Sequence, residues 1–170
     1  MTFFANTMDY TKKREAEIKA CLPALANLKA DAVPQWGVLS AQGMLEHLTL
    51  GIKIGNGSLA PRGAVPYDEY DEARKQQVAI FVASEAPYAR NIMNPLMQDK
   101  PFQTRKPNLE AAKDWFREEL DLFFRYWEEN PDATRLHPTL GPLPRDDWYR
   151  FEYRHIMHHF GQFGLLADTA

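Results

Sequence analysis

Residues 108–130 read NLEAAKDWFREELDLFFRYWEEN, the most regular helical pattern in the chain. Asn108 is a candidate N-cap, and Pro131 follows the predicted end. The apolar residues recur at steps of three and four and therefore line one face of an α-helix: Leu109, Ala112, Phe116, Leu120, Phe123 and Trp127. Charged residues fill most of the other positions, so the stretch predicts a long helix that buries a single stripe.

Three more segments with helical spacing flank this stretch. Residues 9–30 contain Pro23, which predicts either a kink or two shorter helices. Residues 40–55 begin at Ser40, a candidate N-cap, and end in a glycine-rich stop signal. The last helix is predicted over residues 145–167, where Asp146 and Asp147 suit the helix dipole in the first turn.

Four amphipathic helices and no segment of strand periodicity predict an all-α fold, a four-helix bundle. A chain of 170 residues fits a single domain spanning residues 1–170.

Two proline-rich connections separate the predicted helices. Residues 57–107 form a long irregular connection between the second and third helices, with a short helix predicted over residues 68–82. Its prolines include Pro61, Pro66, Pro87, Pro95, Pro101 and Pro107. Residues 132–144 are predicted to form a loop. Long loops in compact domains often cover binding sites, so the first connection is of interest for function.

Composition and charge exclude several classes of function. The chain carries 20 basic and 23 acidic residues with no basic face, so we expect no nucleic-acid partner. No apolar run approaches the roughly 18 residues that span a bilayer, so we expect no membrane association. Residues 1–6 do not resemble a secretory signal, and the lone cysteine, Cys21, excludes an internal disulfide. A cytoplasmic protein is the expectation.

Residues 155–162 read HIMHHFGQ and place three of the five histidines in the last predicted helix. His155 and His159 are four residues apart, so their imidazoles stack on one face, one turn apart. The same stripe carries Glu152 before them and Gln162 after them. Burying such a row of polar side chains costs free energy unless they are paired, so the stripe is unlike a plain core stripe. Two histidines in this arrangement can bind one metal ion.

A third imidazole is predicted from the second helix. His47 lies among Met44, Leu45, Leu48 and Leu50, so it should point into the bundle, where cofactor sites are built from facing helices. Three histidines with an open position are typical of a catalytic divalent metal site. The alternative is that these histidines are hydrogen-bonded core residues. His137 and His158 are predicted to be structural, His137 as a loop anchor before a proline.

Two motifs resemble the DinB/YfiT-like superfamily of four-helix proteins, in particular a small branch of unknown function. One is WGVLSAQGMLEHL at residues 36–48, with a tryptophan, a capping serine and His47. The other is HPTLGPLPRDDW at residues 137–148, continuing to HIMHHFGQFG at residues 155–164. The resemblance spans most of the chain, and the last motif is the specific one.

The resemblance implies a fold, a ligand set and a range of activities. In this superfamily one histidine of the second helix and a His-x-x-x-His pair of the last helix hold a divalent metal, which implies His47, His155 and His159 here. Three imidazoles suit Zn, Ni, Fe or Co. The superfamily includes transferases that use low-molecular-weight thiols, an isomerase of that kind and proteins classed as metal hydrolases.

Five further residues are candidates for roles around this site. Gln162 and Glu152 are candidates to orient the imidazoles or an incoming ligand. Glu152 is also a candidate general base, with a salt-bridged bundle residue as the alternative. Arg90, Arg105 and Tyr88 are candidates for the mouth of the site, with solvated loop residues as the alternative.

These observations leave three hypotheses for function. The first is an enzyme, a metal-dependent thiol transferase or hydrolase acting on a small-molecule substrate. The second is a non-catalytic, stress-associated protein in which the metal links two helices. The third is an interaction module whose histidines form a polar cluster without metal. A homodimer is compatible with each of them.

Overall fold

A computed structural model describes residues 9–63, 66–90 and 102–166 and shows a mostly helical protein. In chain order the α-helices of this part of the chain are α1 (Tyr10–Cys21), α2 (Ala41–Gly55), α3 (Glu72–Ala83), α4 (Leu109–Glu129) and α5 (Arg145–Gln162). Two short 3-10 helices span Leu22–Asn27 and Tyr67–Glu69, and two strands span β1 (Thr134–His137) and β2 (Gly141–Pro144). The prediction of a predominantly helical fold is therefore confirmed.

The starts of the two central helices follow the capping residues in the sequence. The Ser40 hydroxyl accepts a hydrogen bond from the backbone N–H of Gly43 at 3.0 Å, and Asn108 accepts one from Ala111 at 2.9 Å. Each cap satisfies one of the backbone donors that the first turn of a helix leaves free. Both predicted N-caps are confirmed.

The first helical segment is divided, as the proline within it predicts. α1 ends at Cys21, and Pro23 lies in the first turn of the following 3-10 helix, where its missing N–H does no harm. Cys21 is half-buried, and its thiol donates to the carbonyl of Ile18 at 3.0 Å. The alternative of two shorter helices is the correct one.

A two-stranded hairpin stands where the sequence predicts only a loop. β1 and β2 pair antiparallel, with Thr134 opposite Pro144 and His137 opposite Gly141. The expectation that the chain contains no strand is therefore wrong. Strands of four residues are too short to show alternation, and Pro142 and Pro144 mask the pattern further because proline lacks a donor for the ladder.

The last helix ends five residues earlier than predicted. It stops at Gln162 because Gly164 adopts a positive φ of 64°, a conformation in which glycine carries no steric cost. Leu165 N–H then bonds to the carbonyl of Phe160 at 2.9 Å, and Gly164 N–H bonds to that of Gly161 at 3.1 Å. This is the Schellman pattern of helix termination. Residue 167, the predicted end, lies outside the described residues.

The middle connection contains more regular structure than an irregular loop. The short helix predicted over residues 68–82 is present as the 3-10 helix Tyr67–Glu69 followed by α3, whose N-cap is Asp71. Pro95 and Pro101 lie outside the described residues, as do residues 1–6. Within the described part of the chain, no helix combines the length and apolarity that crossing a membrane requires.

The core lies where α2 packs against α4 and α5, and α1 packs against α5. The predicted stripe of α4 is buried along its whole length. Gly55 allows a close approach at one end, since a Cβ there would lie 2.8 Å from Phe123 Cε2 and 2.9 Å from Trp148 Cε3. One turn earlier, Gly51 faces Glu152 and His155 of α5. The two helices therefore run in opposite directions and bring residue 47 toward the C-terminal half of α5.

Candidate metal centre

Three histidines from two helices meet at the contact between α2 and α5. One ring nitrogen from each of His47, His155 and His159 lies within 4.8 Å of the others. Nε2 of His47 is 2.9 Å from Nε2 of His155, and the His47 and His159 rings are centred 5.0 Å apart. The structure therefore brings together the three histidines that the sequence singles out, across 108 positions of the chain.

A glycine on α2 makes room for this arrangement. A Cβ at Gly51 would lie 3.3 Å from Glu152 Oε1 and 3.7 Å from both Cε1 and Nδ1 of His155. Contacts of 3.3 Å are tighter than most that real Cβ atoms make. Gly51 therefore lets the polar stripe of α5 lie directly against the turn of α2 that follows His47.

The imidazoles of the site are neutral. His159 is 8% exposed, while His47 and His155 are half-buried. Burial lowers the pKa of His47 and of His155 to about 3 and that of His159 to about 2, because it disfavours the charged ring, and the neighbouring histidines add to the effect. At neutral pH each ring therefore keeps a nitrogen lone pair.

Gln162 fixes which nitrogen of His159 carries that lone pair. Nδ1 of His159 lies 2.6 Å from Oε1 of Gln162. A carbonyl oxygen can only accept, so Nδ1 is the protonated nitrogen and Nε2 is the free one. Metal-binding histidines commonly donate their second N–H in this way. Gln162 thus lies beside His159, and its role in orienting a metal-binding imidazole stays a prediction.

Glu152 lies behind His155 and has no lysine or arginine partner in the part of the chain that the structure describes. Its carboxyl group is 0% exposed, and Oε2 is 3.6 Å from Nδ1 of His155. Neither carboxyl oxygen, nor His155 Nδ1, has a hydrogen-bond partner among the described residues. Burial raises the pKa of Glu152 well above its ordinary value. A role as general base and the alternative of a salt-bridged bundle residue both stay predictions.

The chemistry of the donor set fits a divalent metal. Nitrogens bound to one zinc ion lie about 2 Å from it, so two of them are roughly 3 Å apart. The 2.9 Å between the Nε2 atoms of His47 and His155 matches that separation. The unpartnered Nδ1 of His155 fits as well, because a ring that binds metal through Nε2 keeps its proton on Nδ1 and donates it to a carboxylate.

The other two histidines lie outside the cluster. Nδ1 of His137 accepts from the backbone N–H of Thr139 and of Leu140, each at 3.2 Å, so this ring anchors the hairpin turn as predicted. His158 packs against Trp36 and Tyr88, with ring centres 5.9 and 6.0 Å away, and its ring centre lies 5.1 Å from that of His159. The structural roles predicted for these two residues agree with both placements.

Of the residues predicted at the mouth of the site, Tyr88 comes closest. Its ring centre is 6.4 Å from that of His155. Arg90 is exposed and lies over Trp36, 4.1 Å from the ring centre. Arg105 is exposed. It contacts α2 through its backbone N–H, which donates to Glu46, and not through its guanidinium.

Sequence reasoning missed Glu46, Phe102 and Arg154. Glu46 is fully buried, Arg154 is 6% exposed, and the Phe102 ring is centred 6.4 Å from that of His47. One signal was available for Glu46, since it is an acidic residue within an otherwise apolar stretch of α2. Arg154 and Phe102 carry no comparable signal, because arginine between aromatic residues and phenylalanine beside proline are common on surfaces and in loops.

Comparison with protein-family models finds no match, and neither curated proteins nor solved structures provide one.

Proposed function

We propose that this protein binds one divalent metal ion through His47, His155 and His159 and uses the remaining coordination position to activate a small molecule. The observation that carries the proposal is the convergence of the three rings. Nε2 of His47 and Nε2 of His155 face each other at 2.9 Å, and Gln162 leaves the Nε2 lone pair of His159 free. Three neutral imidazoles from two helices therefore share one small volume.

The fold that we propose around this site is a four-helix bundle of the DinB/YfiT-like kind. Its four helices are α1, α2, α4 and α5, and α3 is an addition in the connection. The packing of α2 on α4 and α5, and of α1 on α5, supports this arrangement. The positions of His47 on the second bundle helix and of the histidine pair on the last also support it.

The activity that we propose is that of a metal-dependent hydrolase or thiol transferase. A bound divalent ion lowers the pKa of a water or thiol ligand and so supplies a nucleophile at neutral pH. The chain's own residues orient the site: Gln162 holds the Nδ1 proton of His159, and Glu152 lies where it can accept that of His155. The first contact is a hydrogen bond and fixes the direction in which the Nε2 lone pair of His159 points, and the second would do the same for His155 once its Nδ1–H donates to Glu152.

One observation favours a second candidate, a polar cluster without metal. The 2.9 Å between the two Nε2 atoms is also the length of an N–H···N hydrogen bond, with one ring donating and the other accepting. In that case the histidines link α2 to α5 without an ion, and the protein is an interaction module that binds a partner through its surface.

Metal analysis of the purified protein tests the proposal against this second candidate. We expect the protein to bind about one zinc or cobalt ion per chain after metal loading and dialysis, because three imidazoles already converge. Inductively coupled plasma mass spectrometry gives the ratio. A ratio near zero under these conditions would favour the polar cluster. Metal-dependent turnover in a panel of esters and thiol-accepting electrophiles would establish the enzyme, and its absence would favour a structural metal.

Gln162 offers a more specific prediction. We expect Gln162→Leu to weaken zinc binding by roughly ten- to a hundredfold, because the Nδ1–H of His159 loses its acceptor and the ring loses its fixed orientation. Competition with a chromophoric zinc chelator measures the dissociation constant. Gln162→Glu keeps an acceptor and should retain most of the affinity. Gln76→Leu, the same change at an exposed position of α3, is the matched control. Equal affinities in all four proteins would contradict the role of Gln162.

A further inference from the structure

A buried charged residue comes immediately before two of the three histidines. Glu46 precedes His47 on α2, and Arg154 precedes His155 on α5. Glu46 is 0% exposed and Arg154 is 6% exposed, and neither is paired with an opposite charge in the described part of the chain. Burying a charge is costly unless hydrogen bonds replace its water, so the bonds that each side chain makes show what it does.

Glu46 ties the chain that precedes α4 to α2. Its carboxylate accepts the backbone N–H of Arg105 at 2.6 Å and that of Lys106 at 3.0 Å. Gln42, one turn earlier on α2, donates to Glu46 at 3.0 Å and to the carbonyl of Lys106 at 2.7 Å. Three hydrogen bonds from one turn of α2 therefore hold residues 105 and 106, and the fourth links the two α2 side chains to each other.

The segment held by Glu46 places an aromatic ring beside the site. Phe102 is half-buried, and its ring meets that of His47 edge-on, at an interplanar angle of 89°. A Cβ at Gly43, one turn before His47, would lie 3.4 Å from Cδ1 of Phe102. The ring therefore fits over the glycine, next to the imidazole.

Arg154, on α5, holds a second segment of the chain through backbone groups, but as a donor and with a positive charge. Its guanidinium donates to the carbonyl of Phe81 at 2.8 Å and to that of Ala86 at 2.7 Å, and these two groups belong to the end of α3 and the chain after it. Tyr88 lies two residues after Ala86 in the chain. The Tyr88 ring stacks on the Phe81 ring, with centres 5.4 Å apart. The Arg154 guanidinium lies over the Tyr88 ring, 4.4 Å from its centre.

We propose that Glu46 and Arg154 are positioning residues that hold Phe102 and Tyr88 as two aromatic walls, so that the site selects ligands with a flat apolar body and a metal-binding head group. This inference rests on the proposed metal function. The two walls adjoin His47 and His155, the two imidazoles that remain partly exposed, whereas His159 is buried. A ligand that approaches beside His47 meets the Phe102 ring, and one that approaches beside His155 meets the Tyr88 ring; at either ring flat apolar groups gain by burial and by aromatic contact.

Two probe ligands that differ only in their bodies test the selection. Acetohydroxamate and benzohydroxamate share the same metal-binding head, and one carries a methyl group where the other carries a phenyl ring. The full chain loaded with Co²⁺ reports their binding through its visible absorption. We expect the wild type to bind benzohydroxamate about tenfold more tightly than acetohydroxamate, since aromatic contacts add to burial.

Variants of the walls separate this inference from the metal proposal. Phe102→Leu should lose most of the preference for benzohydroxamate while keeping its cobalt content and its affinity for acetohydroxamate. Leu122→Ala, at a partly exposed position of α4, should keep the preference. Failure to bind cobalt would overturn the metal proposal and this inference together. Cobalt binding without the preference, or a preference that survives both Phe102→Leu and Tyr88→Leu, would overturn this inference alone.

Glu46→Gln tests the positioning role directly. It removes the charge and leaves one acceptor oxygen for two backbone donors, so we expect the amides of Arg105 and Lys106 to exchange hydrogen at least about tenfold faster. The preference for benzohydroxamate should fall in the same variant, with cobalt content unchanged. Unchanged exchange at both amides, or unchanged preference despite faster exchange, would contradict the role.

Discussion

Replacing His155 with alanine is expected to lower the affinity for zinc more than about a hundredfold. Loss of a residue that only hydrogen-bonds to a metal ligand already lowers affinity roughly ten- to a hundredfold, and His155 is itself a proposed ligand. The change also removes the ring nearest to Nε2 of His47 and leaves Glu152 facing a gap. Metal content after dialysis and the dissociation constant from chelator competition both measure the loss.

The matched control for this prediction is His158→Ala. His158 lies on the same helix and is also a half-buried imidazole, but it packs against Trp36 and Tyr88 outside the cluster. We expect it to keep an affinity within about threefold of the wild type, as befits a residue that contributes no ligand nitrogen. Equal loss in the two variants would show that the site depends on general packing. Equal retention would exclude His155 as a ligand.

The parts of the site that follow from one helix could be predicted from the sequence. His155, His159 and Gln162 share a stripe because helical periodicity fixes their relative directions whatever packs against them. The contact of His47 with this stripe joins two helices. Periodicity predicts only that a residue faces inward, and it does not predict which residue of another helix it contacts. The apolar setting of His47 and the small number of histidines made it the candidate, the resemblance implied the same set, and the two Nε2 atoms lie 2.9 Å apart.

The supports of the site could not be predicted, because their partners are backbone groups. Glu46 bonds to amides 59 and 60 positions away, and Arg154 bonds to carbonyls 68 and 73 positions away. Every residue except proline offers the same donor and acceptor, so such partners leave no mark on the sequence. Charged residues are mostly exposed. When the backbone partners of Glu46 and Arg154 are not known, both side chains are therefore expected on the surface.

The hairpin and the end of α5 show two other limits of sequence reasoning. A strand of four residues that contains two prolines, as β2 does, carries too few positions for alternation to be recognised. At the end of α5, apolar residues continue through Leu165 and Leu166, which extends the helical pattern. The positive φ at Gly164 outweighs that pattern, because it closes the helix with two backbone hydrogen bonds.

Zinc is expected to stabilise the folded protein by about 2.7 kcal/mol when free metal exceeds the dissociation constant a hundredfold. The proposed ligands come from α2 and α5, with His47 and His155 108 residues apart, so the unfolded chain does not present the site and a bound ion would favour the native state. For a chain of this size the gain corresponds to a rise in Tm of roughly 5–10 °C. Thermal unfolding followed by circular dichroism, with excess zinc and with a chelator, measures it.

His155→Ala separates this stabilisation from weak binding of zinc elsewhere on the chain. Zinc that also binds the unfolded chain, through its histidines and Cys21, reduces the rise in Tm and affects the variant equally. We therefore expect the difference between zinc and chelator to be large for the wild type and close to zero for His155→Ala. A rise of the same size in both proteins would place the stabilising ion outside the histidine cluster. No rise in the wild type, at zinc concentrations that load one ion per chain, would mean that binding is not coupled to the packing of α2 against α5.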